Sequence, residues 1–258
     1  MTNETPVVLY AVAGAVATVT LNRPEKRNAL NDAIIEELKT SLRKANGDSS
    51  INAIVVTGAG KDFCSGADLA ALQKIAEGSV AENAEDARSL LELFTLIRSV
   101  TVPVIAAVRG KALAGGCGLA SACDLVLASA DARFGYPEVK IGFVPAMVTA
   151  ILRRNVSEKR AFELLTHGAE IDAETAQEFG LVNQVFADES FDAEVSDYAG
   201  RFEKLSRSAV SLTKTLLYQI DGLAFAEALE AGLDVNVIAR MTADCRKGID
   251  EFLARASS

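Results

Sequence analysis

The alternation of apolar and polar positions predicts an α/β core over the first two-thirds of the chain. Two β-rich runs, VVLYAV and AVATVTLN, flank Gly14 and predict a hairpin. The apolar runs INAIVVTGAG, VPVIAAVRG and CDLVLAS predict buried strands, and ARFGYPE predicts a short strand before a loop. Between the hairpin and the first buried strand, IIEELKTSLRKAN has helical spacing, with Asn31 or Asp32 placed to cap it.

Helical spacing dominates from Val156 onward, and LVNQVF is the one strand predicted there. This change predicts an α/β core, residues 1–195, followed by a helical region, residues 196–258, that packs on the core or on a neighbouring subunit. Earlier in the chain, the stretch from Asp68 to Ser99 is predicted to be helical in parts. Its middle, EGSVAENAEDARS, is polar enough to be mobile.

Composition limits the class of protein. The 258 residues are half hydrophobic, which suits one large domain or a domain with a small appendage. No leader with a basic start and a long apolar core is visible, and no apolar run approaches the roughly 20 residues of a membrane span. We therefore expect a cytoplasmic protein with no membrane partner. The cysteines form no CxxC pair and are expected to be reduced and mostly buried: Cys64, Cys117, Cys123 and Cys245.

Charge and motif spacing exclude several functions. A net charge of −9 argues against nucleic acid as a partner, although a local basic patch would suffice for a small anion. The glycine clusters match neither GxGxxG nor a P-loop, and GxSxG fails at Ser65 because Phe63 precedes it in place of glycine. The single histidine, His167, precedes Gly168 at a predicted helix end, so we expect a surface position for it and no metal site.

Two glycine-bearing turns remain, FCSGADL and ALAGGCGLA, each just after a predicted buried strand. Glycine costs conformational entropy, so three glycines within five positions at a helix start need a reason. Each turn alone favours tight packing of a strand against a helix. Together they allow two backbone N–H groups to converge on one oxygen, which is the arrangement of an oxyanion hole.

The segments RPEKRNALN, FCSGADL, AGGCGLASACD and FGYPEVKIG, in this order, resemble the successive signatures of the crotonase superfamily, the enoyl-CoA hydratases and isomerases. The resemblance covers the whole chain. It implies an α/β fold, a spiral of ββα units with a C-terminal helical trimerisation region. It also implies a homotrimer or a hexamer made of two trimers. The substrate would be an acyl-CoA thioester, with coenzyme A part of the substrate and no separate cofactor.

The resemblance also implies site residues. The backbone N–H groups of Ala67 and Gly115 would bind the thioester oxygen, and Glu138 would act as acid and base. Lys26, Arg27 and Ala29 would lie near the adenine and phosphates of CoA, and Ser65, Asp68 and Leu69 along the passage to the oxyanion hole. In the C-terminal region the residues assigned to a neighbouring subunit's CoA are Phe252 and Arg255.

The chain departs from the hydratase pattern at one catalytic position. Typical hydratases hold a water between two glutamates; here one of them is Glu138, whereas the other has become Gly118, and Ala114 replaces a nearby glycine. The segment that usually helps to seat the water reads VPAMVTAIL, which makes this wall more apolar. Its residues are Ala146, Met147 and Val148.

One carboxylate beside an oxyanion hole can remove a proton next to the thioester and return it elsewhere, which favours double-bond isomerisation. An apolar wall would raise the pKa of Glu138, Tyr136 is a candidate to order it, and Asp68 is a fallback acid. Water addition stays open, as do decarboxylation, thioester hydrolysis and a non-catalytic or RNA-binding role. Net charge disfavours RNA, and the retained Glu138 disfavours a dead site. The acyl chain preference depends on segments 77–88 and 146–151.

Overall fold

The computed structural model describes residues 6–256, and its strands form two sheets. The larger sheet has the order β1-β2-β3-β4-β6-β9, and the smaller one has the order β5-β7-β8. The strands are β1 Val8–Ala13, β2 Val16–Leu21, β3 Ala53–Gly58, β4 Val104–Val108, β5 Lys111–Leu113, β6 Leu125–Ser129, β7 Arg133–Gly135, β8 Glu170–Asp172 and β9 Gln184–Phe186.

Helices follow the strands and then take over the C-terminal part of the chain. Short 3-10 turns cover Pro24–Lys26, Pro137–Ile141 and Arg201–Lys204. The α-helices are α1 Asp32–Gly47, α2 Leu69–Glu77, α3 Val80–Ser99, α4 Gly115–Ala122, α5 Ala146–Asn155, α6 Glu158–His167, α7 Ala173–Glu178, α8 Phe191–Gly200, α9 Arg207–Gln219, α10 Phe225–Met241 and α11 Ala243–Ala256.

The large sheet is covered on both faces. After the antiparallel pair β1–β2, the remaining strands pair in parallel, and helical crossovers cover such sheets. Alternate side chains of β3 and β4 therefore enter different cores. Ile54 and Val56 face the main core with α1 and α3, whereas Val55 and Ile105 face a second cluster that includes Phe191 of α8.

The small sheet forms a second layer, and its strands follow directly after strands of the large sheet. β4 leads directly to β5 and α4, and β6 leads to β7, so successive strands alternate between the two sheets. Two isolated parallel bridges, Leu30 with Ala67 and Cys64 with Ala112, extend this layer toward the N-terminal part of the chain. The arrangement is the spiral of ββα units that the resemblance implies, and the helical end follows it.

The structure corrects one sequence prediction and adds local detail to another. LVNQVF is not the one strand after Val156, because Glu170–Asp172 pairs antiparallel with β7; a three-residue strand set by tertiary pairing has no pattern of its own. The stretch EGSVAENAEDARS is helical from Val80 onward, and its predicted mobility stays a prediction. Ser79 and Glu82 form a capping box there, which satisfies the first N–H groups of α3.

Several local predictions are confirmed. Asn31 caps α1 by accepting the N–H of Ile34 at 3.0 Å. His167 ends α6, and Gly168 follows it in the left-handed conformation. All four cysteines are free thiols: three are buried, and Cys245 is half-buried.

The predicted boundary between residues 195 and 196 lies inside α8, and the division of the chain into two regions stays a prediction.

The C-terminal helices leave large apolar side chains exposed to solvent. On α10 and α11 the exposed side chains recur at helical spacing, which is typical of a face that contacts another protein surface. They include Phe225 at 81% exposure, Leu229, Leu233, Val237, Met241 and Phe252.

A buried ion pair ties α9 to the core. Lys214 Nζ lies 2.7 Å from Asp124 Oδ2 and also donates to the carbonyl oxygens of Ile97 and Val102. Tyr218, one turn further along α9, donates to the other oxygen of Asp124. Burial lowers the pKa of Lys214, although the Asp124 carboxylate opposes this shift. All three protons of the ammonium are paired, which is the condition under which a buried charge is tolerated.

We predict that Lys214→Ala destabilises the fold strongly, because it leaves the Asp124 carboxylate buried without its cation. The expected loss in the free energy of unfolding is about 3–5 kcal/mol, measured by urea denaturation. Lys247→Ala is the control, since Lys247 forms an exposed pair with Glu251 at 3.9 Å and should change stability by less than about 1 kcal/mol. Equal effects of the two substitutions would contradict the prediction.

Candidate active site

Backbone pairing in the small layer brings four chain segments together. Leu113 donates its N–H to Cys64 O at 2.9 Å, and Ala114 donates to Gly135 O at 2.8 Å. The Cys64 segment therefore lies on one side of the β5–α4 turn, and β7 lies on the other. The Leu30–Ala67 bridge adds the loop before α1. The turns FCSGADL and ALAGGCGLA, which are about 50 residues apart in sequence, are thus neighbours.

The Ala67 turn has one backbone N–H that faces away from the loop before α1. Leu30 donates to Gly66 O at 2.6 Å, and Asp68 donates to Leu30 O at 3.0 Å. Because N–H groups alternate in direction along an extended segment, the intervening Ala67 N–H points away from Leu30. Within residues 6–256 this N–H has no hydrogen-bond partner, and Ala67 is exposed.

The second N–H belongs to the first residue of α4. A first-turn N–H has no partner inside its own helix and carries part of the positive end of the helix dipole. Gly115 is half-buried, and no partner for its N–H is found in the part of the chain that the structure describes. A Cβ built on Gly66 would lie 3.6 Å from Gly115 N, so the two bends touch beside these donors.

The three clustered glycines have different roles. A Cβ on Gly116 would lie 2.2 Å from Cys64 O, so this glycine permits close backbone packing. A Cβ on Gly115 would meet only Leu30 Cδ1, at 3.5 Å, which is an ordinary contact. The packing explanation therefore holds for Gly116, whereas Gly115 keeps the start of α4 open.

Gly118 borders an apolar floor. A Cβ built there would lie 2.6 Å from Val148 Cγ2 and 3.3 Å from Phe94 Cζ, and both of these side chains are buried. The predicted apolar wall is thus formed mainly by Val148, because Met147 is half-buried and Ala146 is exposed. The space that a side chain at residue 118 needs is already filled.

Glu138 supplies the carboxylate of the site. It lies on the 3-10 turn Pro137–Ile141 directly after β7, and its side chain is half-buried. The buried atom Oε2 has no hydrogen-bond partner among the described residues. Burial raises the pKa of Glu138, and a backbone hydrogen bond only partly opposes this. The carboxylate is also close enough to α4 to add to the raised pKa of the Cys117 thiol, about 12, which is caused mainly by burial.

Tyr136 does not hold Glu138 by a hydrogen bond. Its buried hydroxyl lies 2.8 Å from Ser121 Oγ, and Ser121 in turn donates to Cys117 O. Tyr136 therefore ties the segment before Glu138 to α4. The candidate role of ordering the carboxylate directly is not supported in the described residues.

Asp68 makes structural contacts on both of its carboxylate oxygens. Its side chain accepts the N–H of Ala71, which caps α2, and lies 3.0 Å from Arg23 Nη2. Burial raises the pKa of Asp68, but this hydrogen bond and the Arg23 guanidinium outweigh it and hold the pKa below its ordinary value. The fallback role is therefore disfavoured. Leu69 follows it as an exposed side chain at the start of α2.

The loop before α1 carries the predicted CoA contacts. Lys26 and Arg27 are exposed and form a local basic patch, whereas Ala29 is buried. Ser65 donates its backbone N–H to Arg27 O at 3.1 Å, which joins this loop to the Ala67 turn. The predicted contacts of the loop thus lie beside the donors.

Sequence reasoning missed Asn28 and Arg23, the residues that shape this loop. Asn28 is fully buried at φ 53°, a left-handed conformation that asparagine tolerates. Its amide oxygen accepts the N–H of Arg23, and its amide nitrogen donates to two carbonyl oxygens of the next loop. Both residues lie within RPEKRNALN, but their hydrogen bonds join positions that are not adjacent in sequence, so no local spacing indicates them.

Phe252 and Arg255 are exposed on α11. Their contact with a neighbouring subunit's CoA stays a prediction.

Within residues 6–256, no cluster of three metal-ligating side chains is present. The helices of this range include none that is both long and apolar enough to cross a membrane.

A spiral of ββα units that closes with packed helices defines the crotonase fold. The sequence model of one family, described as Enoyl-CoA hydratase/isomerase, matches residues 11–257. The chain belongs to this family.

Curated relatives and solved structures agree with this assignment. A putative enoyl-CoA hydratase of Thermus thermophilus is 40% identical over 242 residues, which covers 94% of this chain and 96% of the relative. The 2,3-dehydroadipyl-CoA hydratase of Escherichia coli is 36% identical over 93% of this chain and 92% of its own. The crystal structure of an enoyl-CoA hydratase from Mycobacterium smegmatis superimposes with a TM-score of 0.92 at 32% identity, and the match covers 97% of both chains.

Gly116→Ala and Gly115→Ala should differ sharply in stability. At residue 116 the added methyl meets a backbone carbonyl that cannot move independently, so overpacking should lower the free energy of unfolding by at least about 1–3 kcal/mol. At residue 115 the contact with Leu30 is ordinary, and stability should change by less than about 1 kcal/mol. Urea denaturation of both variants checks this, and equal stabilities would refute the packing role of Gly116.

Glu138→Gln should raise the melting temperature at pH 8 and leave it nearly unchanged at pH 4. The pKa of Glu138 is raised in the folded protein, so ionisation opposes folding above that pKa; this penalty vanishes below the ordinary value of 4.5. Glu82→Gln is a control of opposite sign, because the hydrogen bond from Ser79 lowers the pKa of Glu82. If Glu138→Gln changes the melting temperature equally at pH 8 and pH 4, the pKa of Glu138 is not raised in the folded protein.

Proposed function

We propose that this protein acts on an acyl-CoA thioester through an enolate held by the Ala67 and Gly115 N–H groups, with Glu138 as the single acid and base. We further propose that its reaction is migration of a double bond in a 3-enoyl-CoA. One observation carries this proposal: the buried Oε2 of Glu138 has no protein partner among the described residues and is left for a proton of the substrate. Membership of the enoyl-CoA hydratase/isomerase family supports the class of substrate.

The proposed reaction needs only these groups. The Glu138 carboxylate removes a proton from C2 of the 3-enoyl thioester, and the electron pair moves onto the thioester oxygen. The two N–H groups stabilise this oxygen, and removal of one such donor typically costs about 100- to 1,000-fold in rate. The protonated Glu138 then delivers the proton to C4, and the double bond moves from C3=C4 to C2=C3.

Burial of Glu138 suits this exchange. A raised pKa makes the carboxylate a stronger base and brings its two protonation states closer in energy at neutral pH. Coenzyme A would lie along the Lys26 and Arg27 patch, and the exposed apolar face of α10 and α11 supports a homotrimer or a hexamer. A cytoplasmic location is part of the same proposal.

Hydration of a 2-enoyl-CoA is the second candidate. It is favoured by the names of the relatives, which include a 2,3-dehydroadipyl-CoA hydratase and a putative enoyl-CoA hydratase. In this reaction Glu138 would have to activate the water and protonate C2 without a second carboxylate.

Separate incubation with 3-enoyl-CoA and 2-enoyl-CoA tests the proposal, with products identified by mass and chromatography. We expect isomerisation of the first substrate, at least 100-fold slower in Glu138→Gln, with a rate that falls toward acid pH at a midpoint above 4.5. Glu170→Gln is the control, because Glu170 is part of an ion pair with Lys111 on the small sheet, outside the site. Turnover of neither substrate, or full activity of Glu138→Gln, would overturn the proposal.

A further inference from the structure

We infer that Val148, supported by Phe94, is a specificity-determining residue that confines this site to one acid/base group. The inference rests on the proposed function, which identifies that group as Glu138. It concerns the apolar floor beside Gly118. In a site with two carboxylates, the second carboxylate and the water next to it would lie at this place.

The space that a glutamate side chain would need at residue 118 is filled by other side chains. Replacement of a glutamate by glycine alone would leave a hollow large enough for water. Here Val148 Cγ2 would lie 2.6 Å from a Cβ on Gly118, and Phe94 Cζ would lie 3.3 Å away. Val148 and Phe94 are each only 4% exposed. The floor next to Gly118 is therefore apolar and close-packed, an environment that does not favour a bound water.

Two separate helices hold this packing in place. Val148 lies in the first turn of α5, and the structure packs α5 against α4, which carries Gly118. Phe94 lies on α3, and the Lys39 ammonium of α1 donates to Glu92 of α3 at 3.1 Å, which ties the two helices together. A Cβ only 2.6 Å from Val148 Cγ2 cannot be accommodated without a shift, so a side chain larger than hydrogen at residue 118 requires a change at residue 148.

The chemical consequence is a choice between two reactions of the same enolate site. In hydration, a second carboxylate takes a proton from water, the water oxygen bonds to C3, and the first carboxylic acid donates a proton to C2, which yields a 3-hydroxyacyl-CoA. In isomerisation, no water enters, and the proton from C2 returns at C4. Val148 blocks the place of the second carboxylate and of the water, and isomerisation remains.

A double-mutant cycle tests the packing. Gly118→Ala should lower the melting temperature by about 2–10 °C, because the new methyl overlaps Val148 Cγ2. Val148→Ala removes that atom and leaves Val148 Cβ at 3.8 Å, so Gly118→Ala should cost far less in the Val148→Ala background. If the changes in melting temperature of the two single variants add up to that of the double variant, residues 118 and 148 do not compete for this space, and the inference is overturned.

The reaction test uses Gly118→Glu with and without Val148→Ala. On 2-enoyl-CoA, we expect the double variant to form 3-hydroxyacyl-CoA at least 10-fold faster than the wild-type chain. Gly118→Glu alone should show no gain, because its side chain has no room. Val148→Ala alone should raise the ratio of hydration to isomerisation several-fold by admitting water.

The outcomes separate this inference from the proposed function. Failure of the wild-type chain to convert 3-enoyl-CoA rejects the proposed isomerisation, whereas the comparison of variants on 2-enoyl-CoA still tests Val148. A folded double variant with no gain in hydration overturns the inference, as does a Gly118→Glu variant as stable and active as the double one. If the double variant does not fold, an unchanged product ratio in Val148→Ala overturns it.

Discussion

The contact between the Cys64 segment and the start of α4 is the constraint on which the site depends. Gly116 must lack a side chain because its backbone passes against Cys64 O, and this approach sets how near the two bends come. The hydrogen bonds of Leu113 and Ala114 fix the register on either side. Since both proposed donors are backbone N–H groups, their positions follow from this register and not from any side chain.

The same register places Glu138. β7 pairs in parallel with β5, so that Leu113 lies opposite Gly135, and three residues later the chain reaches Glu138. The carboxylate is thus positioned by the strand that also fixes the β5–α4 turn. Donors and acid belong to one bonded layer, and a shift in one strand would move both. Buried Tyr136 reinforces this layer through Ser121 on α4.

Much of the core could be predicted from the sequence because buried parallel strands are continuous apolar runs. The order of the four family motifs then indicated how these strands and helices are arranged in the fold. Other features depended on tertiary contacts that leave little local pattern. The strand Glu170–Asp172 exists only as a partner of β7, and the capping box of Ser79 makes a polar stretch helical. For the site, the sequence identified Gly118 as a departure. It could not show that Val148 occupies the vacated space, since the two residues are 30 positions apart.

The raised pKa of Glu138 arises without a second carboxylate beside it. In a site with two carboxylates, mutual repulsion raises the pKa of one of them. Here no such neighbour is needed, because burial is the main cause of the shift. Burial leaves Oε2 of Glu138 without a partner among the described residues, and Val148 and Phe94 fill the space next to Gly118. In the proposed reaction, the stronger base that burial produces is what allows Glu138 to act without a second carboxylate.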